Sequence, residues 1–598
     1  MDNSRNLLLA FLLSGLLIFG WDAGMRYFYP QPETTEESAS VDGAAPAAQT
    51  SAGGVAGTST VAADIDGATP DAGPVDLSAA LADPQRVVID APRIAGSINL
   101  VGARVDDIVL KDHRQTVKKD SGPVRLFAPE RTEDQYFAEF GFIIGGRRLP
   151  DTLVWEADGA KLTPQTPVTL SAVDGEGITY SIKLTVDDGY MITAEQSVTN
   201  SSGDAEIVQP FAFVKRTDRT ATPWEWLVHS GPTGVFGGVV DYDQDYETLA
   251  ETGKVTGDGA PSWLGFSDRY WLSALVPGDG KGTTNAEGAF RSLGDTLFRA
   301  DVLYEAQTLA SGSTLTQQTR LFAGAKESVV LDDYEESGIT LFGKAISWGW
   351  FEIIEKPLLW LLRQLNSLIG NFGVAIIALT FIIRGLMFPI AQKQFSSMAQ
   401  MKALQPKMKA IQERYKDDRQ VQQQKIMELY KEEKANPLAG CLPLLLQIPI
   451  FFALYKVLIL SIEMRHEPFL YISDLTAPDP ATILNLFGLL PFEVTGFLGI
   501  GVLAILLGFT MWLTFRLNPS AMDPVQQQIF NLMPWILMFV MASFASGLLL
   551  YWVTSNVLTL AQQSYLYSKN PQLKAAAEKE KAEQAKKKAQ EDAEKSEA

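Results

Sequence analysis

FGVAIIALTFIIRGLMFPI (372–390) and PLAGCLPLLLQIPIFFALYKVLILS (437–461) are two apolar runs on either side of a polar, lysine-rich segment, Gln392–Asn436. At about 1.5 Å of rise per helical residue, each run is long enough to cross the ~30 Å hydrocarbon core of a bilayer. The first run is broken by one charge, Arg384. A charge at that depth costs roughly 2.5–3.5 kcal/mol on insertion scales. Two accounts are open. Arg384 lies eight residues before Gln392, about 12 Å of helix, so its side chain could snorkel toward the interface. Alternatively it faces a wet cavity inside a bundle of helices.

The intervening segment holds ten Lys/Arg against six Asp/Glu. Basic loops stay on the cytoplasmic side, which places this one inside. Its apolar residues recur at helical spacing: Met398, Met401, Leu404, Met408 and Ile411, then Ile426, Leu429 and Tyr430. With Asp417-Asp418 between the two sets, 392–436 reads as a hairpin of two antiparallel helices. In the returning run, Pro437, Pro443 and Pro449, six residues apart each time, loosen the helix and free carbonyls. Gln447 is buried with them, and Lys456, near the outer end, is expected to snorkel.

Outward from this unit, the pattern continues. Val494–Phe515 is a further span. Ile529–Tyr567 runs for 39 residues without a charge, about 58 Å if helical, so it must be two helices turning near Ser543–Gly547. The last of these carries a polar patch, Thr554, Ser555, Asn556 and Thr559, of the kind that joins helices or lines a cavity. Upstream, Phe342–Asn366 mixes Trp348, Trp350, Phe351, Ile354 and Trp360 with five charges. It reads as an amphipathic helix lying in the outer interface, broken near Pro357.

The chain has 598 residues and a net charge of −20, a length that argues for several domains. Asn6–Trp21 is apolar, with Trp21, Tyr27, Phe28 and Tyr29 forming an interfacial belt and no small-x-small site after it, so residues 1–29 read as an uncleaved anchor. Residues 30–85 are rich in Ala, Gly, Ser, Thr and Pro and read as a flexible linker. Residues 86–335 have period two. Ile178–Val186 and Met191–Val198 form a hairpin across Asp187-Asp188-Gly189, and the many short strands suggest one large β-sandwich. The only cysteine, Cys441, lies in a span, so no disulfide forms within the chain. His113 and His229 lack metal-ligand spacing. Gly278–Thr284 (GDGKGTT) lacks the spacing and context of a phosphate loop and reads as a turn. The tail, 568–598, holds eight Lys and seven acids and reads as a solvated cytoplasmic extension.

Met1–Leu8 (MDNSRNLL), Gly96–Val117, Thr380–Pro389 (TFIIRGLMFP), Met398–Pro406 (MAQMKALQP), Asn436–Tyr455, Asp523–Gln528 (DPVQQQ) and Ser546–Asn556 (SGLLLYWVTSN) together resemble, in this order, the YidC/Oxa/Albino family of membrane protein insertases in its bacterial form. The resemblance implies a polytopic α-helical inner-membrane protein of six spans with both termini cytoplasmic. Five spans, 371–567, would form the insertase core, and a periplasmic β-supersandwich would precede it. It implies a hydrophilic groove open to the cytoplasm and to lipid, with Arg384 in it, Thr380 one turn earlier, and Gln447 and Asn556 among its polar residues. Substrate contacts fall on Ile448, Phe451, Val540, Phe544 and Trp552. The implied partners are nascent inner-membrane proteins, the Sec translocon with its accessory subunits, membrane lipids, and the ribosome and signal recognition particle pathway. A monomer suffices, and no cofactor or nucleotide motif is called for. Two other classes predict other features. A transporter predicts internal repeats with discontinuous helices, and none is found. A tethered carbohydrate enzyme predicts paired carboxylates in the β domain and leaves the basic hairpin unexplained.

Overall fold

The computed structural model describes residues 73–569 apart from 119, 176, 224–227, 295, 417, 434–441, 491, 493, 495–498 and 518–523. The N-terminal anchor, the linker up to residue 72, Pro437, Cys441 and the tail from residue 570 lie outside the described residues.

Strands run from Arg86 to Ala325 and form two sheets. Alternation makes them: in Ile178–Val186, Ile178, Tyr180, Ile182, Leu184 and Val186 point inward, and the residues between them do not. The hairpin partner is Met191–Asn200, in the register Ile178↔Asn200 to Val186↔Ile192. The turn is held by Asp187, whose Oδ1 accepts from Gly189 N and Met191 N at 2.9 and 3.0 Å. Thr314–Ala325 pairs on the other side of Met191–Asn200, and Trp271–Pro277, Pro261–Ser267 and Gly231–Phe236 follow across this sheet. The second sheet is centred on Tyr136–Ile144 between Glu206–Thr217 and Arg104–Arg114. Apolar faces of the two sheets meet in the main core, as in packed sandwiches. Tyr136–Ile144 is buried on both faces. Its far side carries a separate cluster, Phe137, Ile143, Phe211, Phe213 and Leu303. Arg104 and Arg148 lie over those rings.

Three short helices decorate this domain: α1 (Leu77–Leu81), α2 (Tyr246–Thr252) and α3 (Ser328–Glu336). The first corrects the linker reading at its end. Asp76 caps α1 through Ser78 N at 2.8 Å, and Val75 N donates to Arg131 O at 2.9 Å. A local cap and a backbone bond to the sandwich thus fix residues that composition alone assigns to a tether. Gly278–Thr284 links strand to strand, so no helix follows to make a phosphate site.

Among the described residues seven helices follow: α4 (Glu352–Ile369), α5 (Phe372–Arg414), α6 (Arg419–Glu432), α7 (Leu442–Leu460), α8 (Val502–Leu517), α9 (Pro524–Met541) and α10 (Ser546–Lys569). Helix α4 buries Leu359 and Leu362 and exposes Trp350 just before it, Ile353, Trp360 and Leu368. Pro357 lies inside α4 without breaking it. It comes early in the helix, where the loss of one N–H leaves the surrounding turns intact. Gly370, at φ 79°, ends α4, and Asn371 caps α5 through Val374 N at 3.1 Å. Helix α5 then runs 43 residues unbroken, so the apolar run and the first arm of the basic hairpin are one helix. Asp418 turns the chain into α6 by accepting from Gln420 N and Val421 N. Helix α8 begins at Val502, eight residues later than its hydropathy suggests, because Thr482 pairs with Gly501 in a β-bridge. The chain turns between α9 and α10 at 542–545, overlapping the bend expected at 543–547.

The β domain and the helices meet through specific bonds. Arg269 Nε donates to Ile459 O at 2.8 Å, and Arg465 donates to Arg114 O and Gln115 O at 2.8 and 3.1 Å. Arg363 on α4 reaches Glu463 at 2.6 Å. Lys456 corrects its expectation: rather than snorkelling, it is buried and donates to Ser347 O and Trp348 O at 2.6 and 2.7 Å. The irregular segment before α4 offers unused carbonyls close enough to satisfy the ammonium, so it need not reach water.

Candidate functional site

Helices α5, α7 and α10 bring polar side chains together in otherwise apolar surroundings. Arg384, on α5, is half-buried and donates to Ser555 Oγ on α10, from Nε at 2.9 Å and from Nη2. One turn before Ser555, Tyr551 is buried, and its hydroxyl accepts from Gln447 Nε2 on α7 at 2.6 Å. Residues four apart share a helix face, so Tyr551 and Ser555 present two hydroxyls in line toward α5 and α7. Gln562, a further two turns on, lies 3.4 Å from Arg384 O. Among the described residues, no carboxylate lies within 4.0 Å of the Arg384 guanidinium. The cation is hydrogen-bonded without being neutralised.

The other expected polar residues divide. Thr380, one turn before Arg384, is fully buried and donates to Ile376 O of its own helix at 2.7 Å. Asn556 is buried and donates to Thr510 Oγ1 on α8 at 3.1 Å. Adjacent residues on a helix point about 100° apart, so Ser555 faces Arg384 while Asn556 joins α10 to α8. Thr554 and Thr559 each bond the carbonyl one turn back, at 2.7 Å. Of the polar patch, only Ser555 touches the arginine.

The apolar candidates flank this cluster. Phe451 on α7 packs against Trp552 on α10 with centroids 4.8 Å apart, and Phe544, in the α9–α10 turn, packs against Tyr455 at 5.5 Å. Ile448, next to Gln447, and Val540, near the end of α9, are exposed. Ser555 belongs to the polar patch read from the sequence, but Tyr551 and Gln562 as partners of this site escape sequence reading. The spacing Tyr551–Ser555 was the available signal, since two hydroxyls one turn apart on a helix opposite a lone cation can both address one neighbour.

In the β domain several charged groups pair with one another. Glu139 accepts from Arg104 Nε at 2.9 Å and from Arg148, and Glu130 pairs with Arg104 and Lys215 at 2.8 and 3.0 Å. His229 is half-buried, and its loss of solvent pulls its pKa down to about 4; its Nε2 lies 3.0 Å from Pro232 O. His113 lies against Trp271.

Residues 364–575 match the family model described as 60Kd inner membrane protein, and residues 86–361 match the one described as YidC periplasmic domain. The membrane protein insertase YidC of Beijerinckia indica is 42% identical over 594 residues, covering 94% of this chain and 96% of that protein. The YidC insertases of Rhizobium johnstonii, 41% identical with 95% and 96% covered, and Zymomonas mobilis, 42% identical with 94% and 95% covered, are similar to the same extent. Among solved structures, a crystal structure of active YidC insertase with its first transmembrane domain resolved is 18% identical, covers 82% of this chain and 93% of that one, and superposes with a TM-score of 0.35. A galactose mutarotase-like protein from Lactobacillus casei covers 40% of this chain and all of its own length, at 10% identity and a TM-score of 0.27. At those scores neither superposition bears on the reading of the site.

Proposed function

The chain belongs to the YidC family of membrane protein insertases, and from that premise we propose that the cluster around Arg384 is the hydrophilic recess through which it inserts inner-membrane proteins. As a member it is an inner-membrane insertase with a periplasmic β-sandwich domain, and its task is insertion, not enzymatic chemistry.

The observation that carries the proposal is the state of Arg384, which is held by a hydroxyl and left unneutralised by any carboxylate among the described residues. A cation walled by low dielectric attracts opposite charge far more strongly than one in water. Acidic residues in the polar tail of an incoming chain are the natural counter-charge. Tyr551, Gln447 and Ser555 continue the polar lining, so the tail can exchange water for fixed donors and acceptors partway across. The client's apolar helix then slides out past Ile448, Phe451, Val540, Phe544 and Trp552 into lipid, releasing transfer energy as it leaves water. Burial, with the membrane potential acting on charged tails, drives the step.

In this reading the core has five spans after the N-terminal anchor, both termini are cytoplasmic, and the basic hairpin of α5 and α6 faces arriving chains. By length and composition, Phe372–Gln394 alone among the described helices passes as a full span, and Gln447–Leu460, Val502–Arg516 and Asn531–Met541 are shorter apolar segments. The recess works in a monomer, alone or beside the Sec translocon, and takes clients from ribosomes, with or without the signal recognition particle.

A photo-crosslinker placed at Ile448, Val540 or Phe544 during synthesis of a single-span client is expected to capture the client's apolar helix. The same probe at Asp188, on the sandwich hairpin, is the control. Capture no better than at Asp188 would overturn the assignment of the sliding face.

A further inference from the structure

Between α7 and α8 the residues from Pro480 to Leu490 form a loop with inverted polarity. Ile483, Leu484, Leu486, Phe487, Leu489 and Leu490 are all exposed, Leu489 at 81%. The polar residues are inside: Thr482 is buried, and Asn485 is 4% exposed. Asn485 Oδ1 accepts from Thr482 N at 2.9 Å and Gly488 N at 2.8 Å, and its Nδ2 donates to Pro480 O at 2.8 Å. Part of the backbone is satisfied from within as well. Phe487 N donates to Thr482 O, Leu490 N to Asn485 O and Leu486 N to Ile483 O, at 2.7, 3.0 and 3.1 Å. No charged residue occurs from Pro480 to Phe492.

A loop meant for water shows the opposite arrangement, because water satisfies its peptide groups and its apolar side chains turn in. Internal satisfaction of every polar group with apolar side chains outward is what hydrocarbon demands. The base of the loop is fixed. Asp479 accepts from Ala481 N at 2.9 Å and from Leu503 N, in the first turn of α8, at 2.8 Å, and Tyr471 donates to the same carboxylate at 3.0 Å. Gly501 is obligatory there, since a Cβ would meet Asp479 at 2.5 Å. Helix α8, as described, has 16 residues, about 24 Å, which falls short of a hydrocarbon core of ~30 Å. Its exposed face, including Leu506 and Phe509, is apolar and leads into the loop.

We propose that residues 480–490 are a lipid-docking loop, seated in the outer leaflet, that completes the thickness α8 lacks and holds its outer end at a fixed depth. The occupant of the exposed apolar face is lipid. The inference rests on the multi-pass reading above, which puts the α7–α8 connection on the outer side.

The test uses the full chain carrying Cys441→Ser, with an environment-sensitive fluorophore on Leu489→Cys, Phe487→Cys, Leu506→Cys or Asp188→Cys, reconstituted in phosphatidylcholine vesicles. Brominated acyl chains are expected to quench positions 487, 489 and 506 several-fold more than 188, and aqueous iodide is expected to do the reverse. If 487 and 489 are open to iodide while 506 is quenched by lipid, the loop lies in water and the proposal falls with the topology intact. If 506 also escapes lipid quenching, the membrane placement of α8 fails and takes the loop with it. Shielding from iodide without lipid quenching at 487 and 489 would show protein on this face and would equally overturn a lipid partner.

Discussion

Two arginines, one in each half of the molecule, are both withdrawn from water and are treated in opposite ways. Arg216, in the sandwich, is fully buried, lies 2.9 Å from Asp268 and packs on the Tyr136 ring at 4.4 Å. Arg384, in the helical half, has Ser555 as its side-chain partner and no carboxylate beside it among the described residues. Burying a cation with its counter-ion ties off its field, so that little is felt beyond the pair. Burying one against a hydroxyl satisfies its N–H groups and leaves its field to act on whatever enters. The sandwich arginine is tied into the fold, and in the proposed function the helical one is kept available.

The comparison breaks most visibly if the sandwich pair proves dispensable. Asp268→Ala leaves Arg216 as an uncompensated buried cation, which costs roughly 3–5 kcal/mol. The expected outcome is a lowered Tm and early proteolysis of the β domain in the full chain, with no direct effect on α5. Arg384→Ala should do the converse. Losing a charge attraction of about 1–4 kcal/mol at close range is expected to reduce insertion of clients with acidic outer tails at least about tenfold, and to spare clients with neutral tails. Thermal stability should change little, since only hydrogen bonds to Ser555 are lost. Arg384→Lys should retain part of the activity, because the charge remains while the fork of donors does not. Equal insertion of both client classes by Arg384→Ala would make Arg384 another structural cation.

How legible each half was follows from the range of its determinants. The sandwich hairpin 178–200 could be read because alternation and an Asp-Asp-Gly turn are local signals. The depth of Arg384 could be read from hydropathy, but its partner could not: Ser555 lies 171 positions away, and no periodicity reports a contact across helices. Thr380 and Asn556 show the same limit from the other side. Both are polar at spans' depths, as a groove would need, yet one is satisfied by its own helix and the other by α8. The late start of α8 was hidden because an apolar loop and an apolar helix have the same hydropathy. The docked end of the linker was hidden because a five-residue helix leaves no period to find.

A third buried charge sharpens the contrast. Glu355 on α4 is fully buried, and neither carboxylate oxygen accepts a hydrogen bond among the described residues. Desolvation pushes its pKa up to about 7, against the pull of Lys456 on α7 and with the push of Glu352 on its own helix. A carboxyl whose pKa is higher in the fold than the ordinary 4.5 binds its proton more tightly when folded. Stability therefore falls as pH climbs from about 4.5 to about 7, and the penalty stays above that range. Glu355→Gln is expected to raise Tm at pH 8, by an amount corresponding to roughly 3 kcal/mol, and to leave it unchanged at pH 4. Equal gains at both pH values would show that packing, not ionisation, limits this contact.

The smallest effect tests whether the two halves differ in rigidity as well as in charge. Phe127 and Tyr136 in the sandwich, and Phe451 and Trp552 in the helical half, each place ring centroids 4.8 Å apart. The first pair is buried on all sides, whereas the second is only partly buried where α7 and α10 flank the cluster. Aromatic pairs contribute about 0.5–1.5 kcal/mol beyond their area. A double-mutant cycle to leucine on each pair isolates that coupling. The sandwich pair is expected near the upper end and the helical pair near the lower, because a surface that must let a client helix slide past gains nothing from locking its own side chains. Coupling of equal size in both would mean that Phe451 and Trp552 form a fixed seam between α7 and α10. The sliding face would then have to be sought at the exposed Ile448 and Val540 alone.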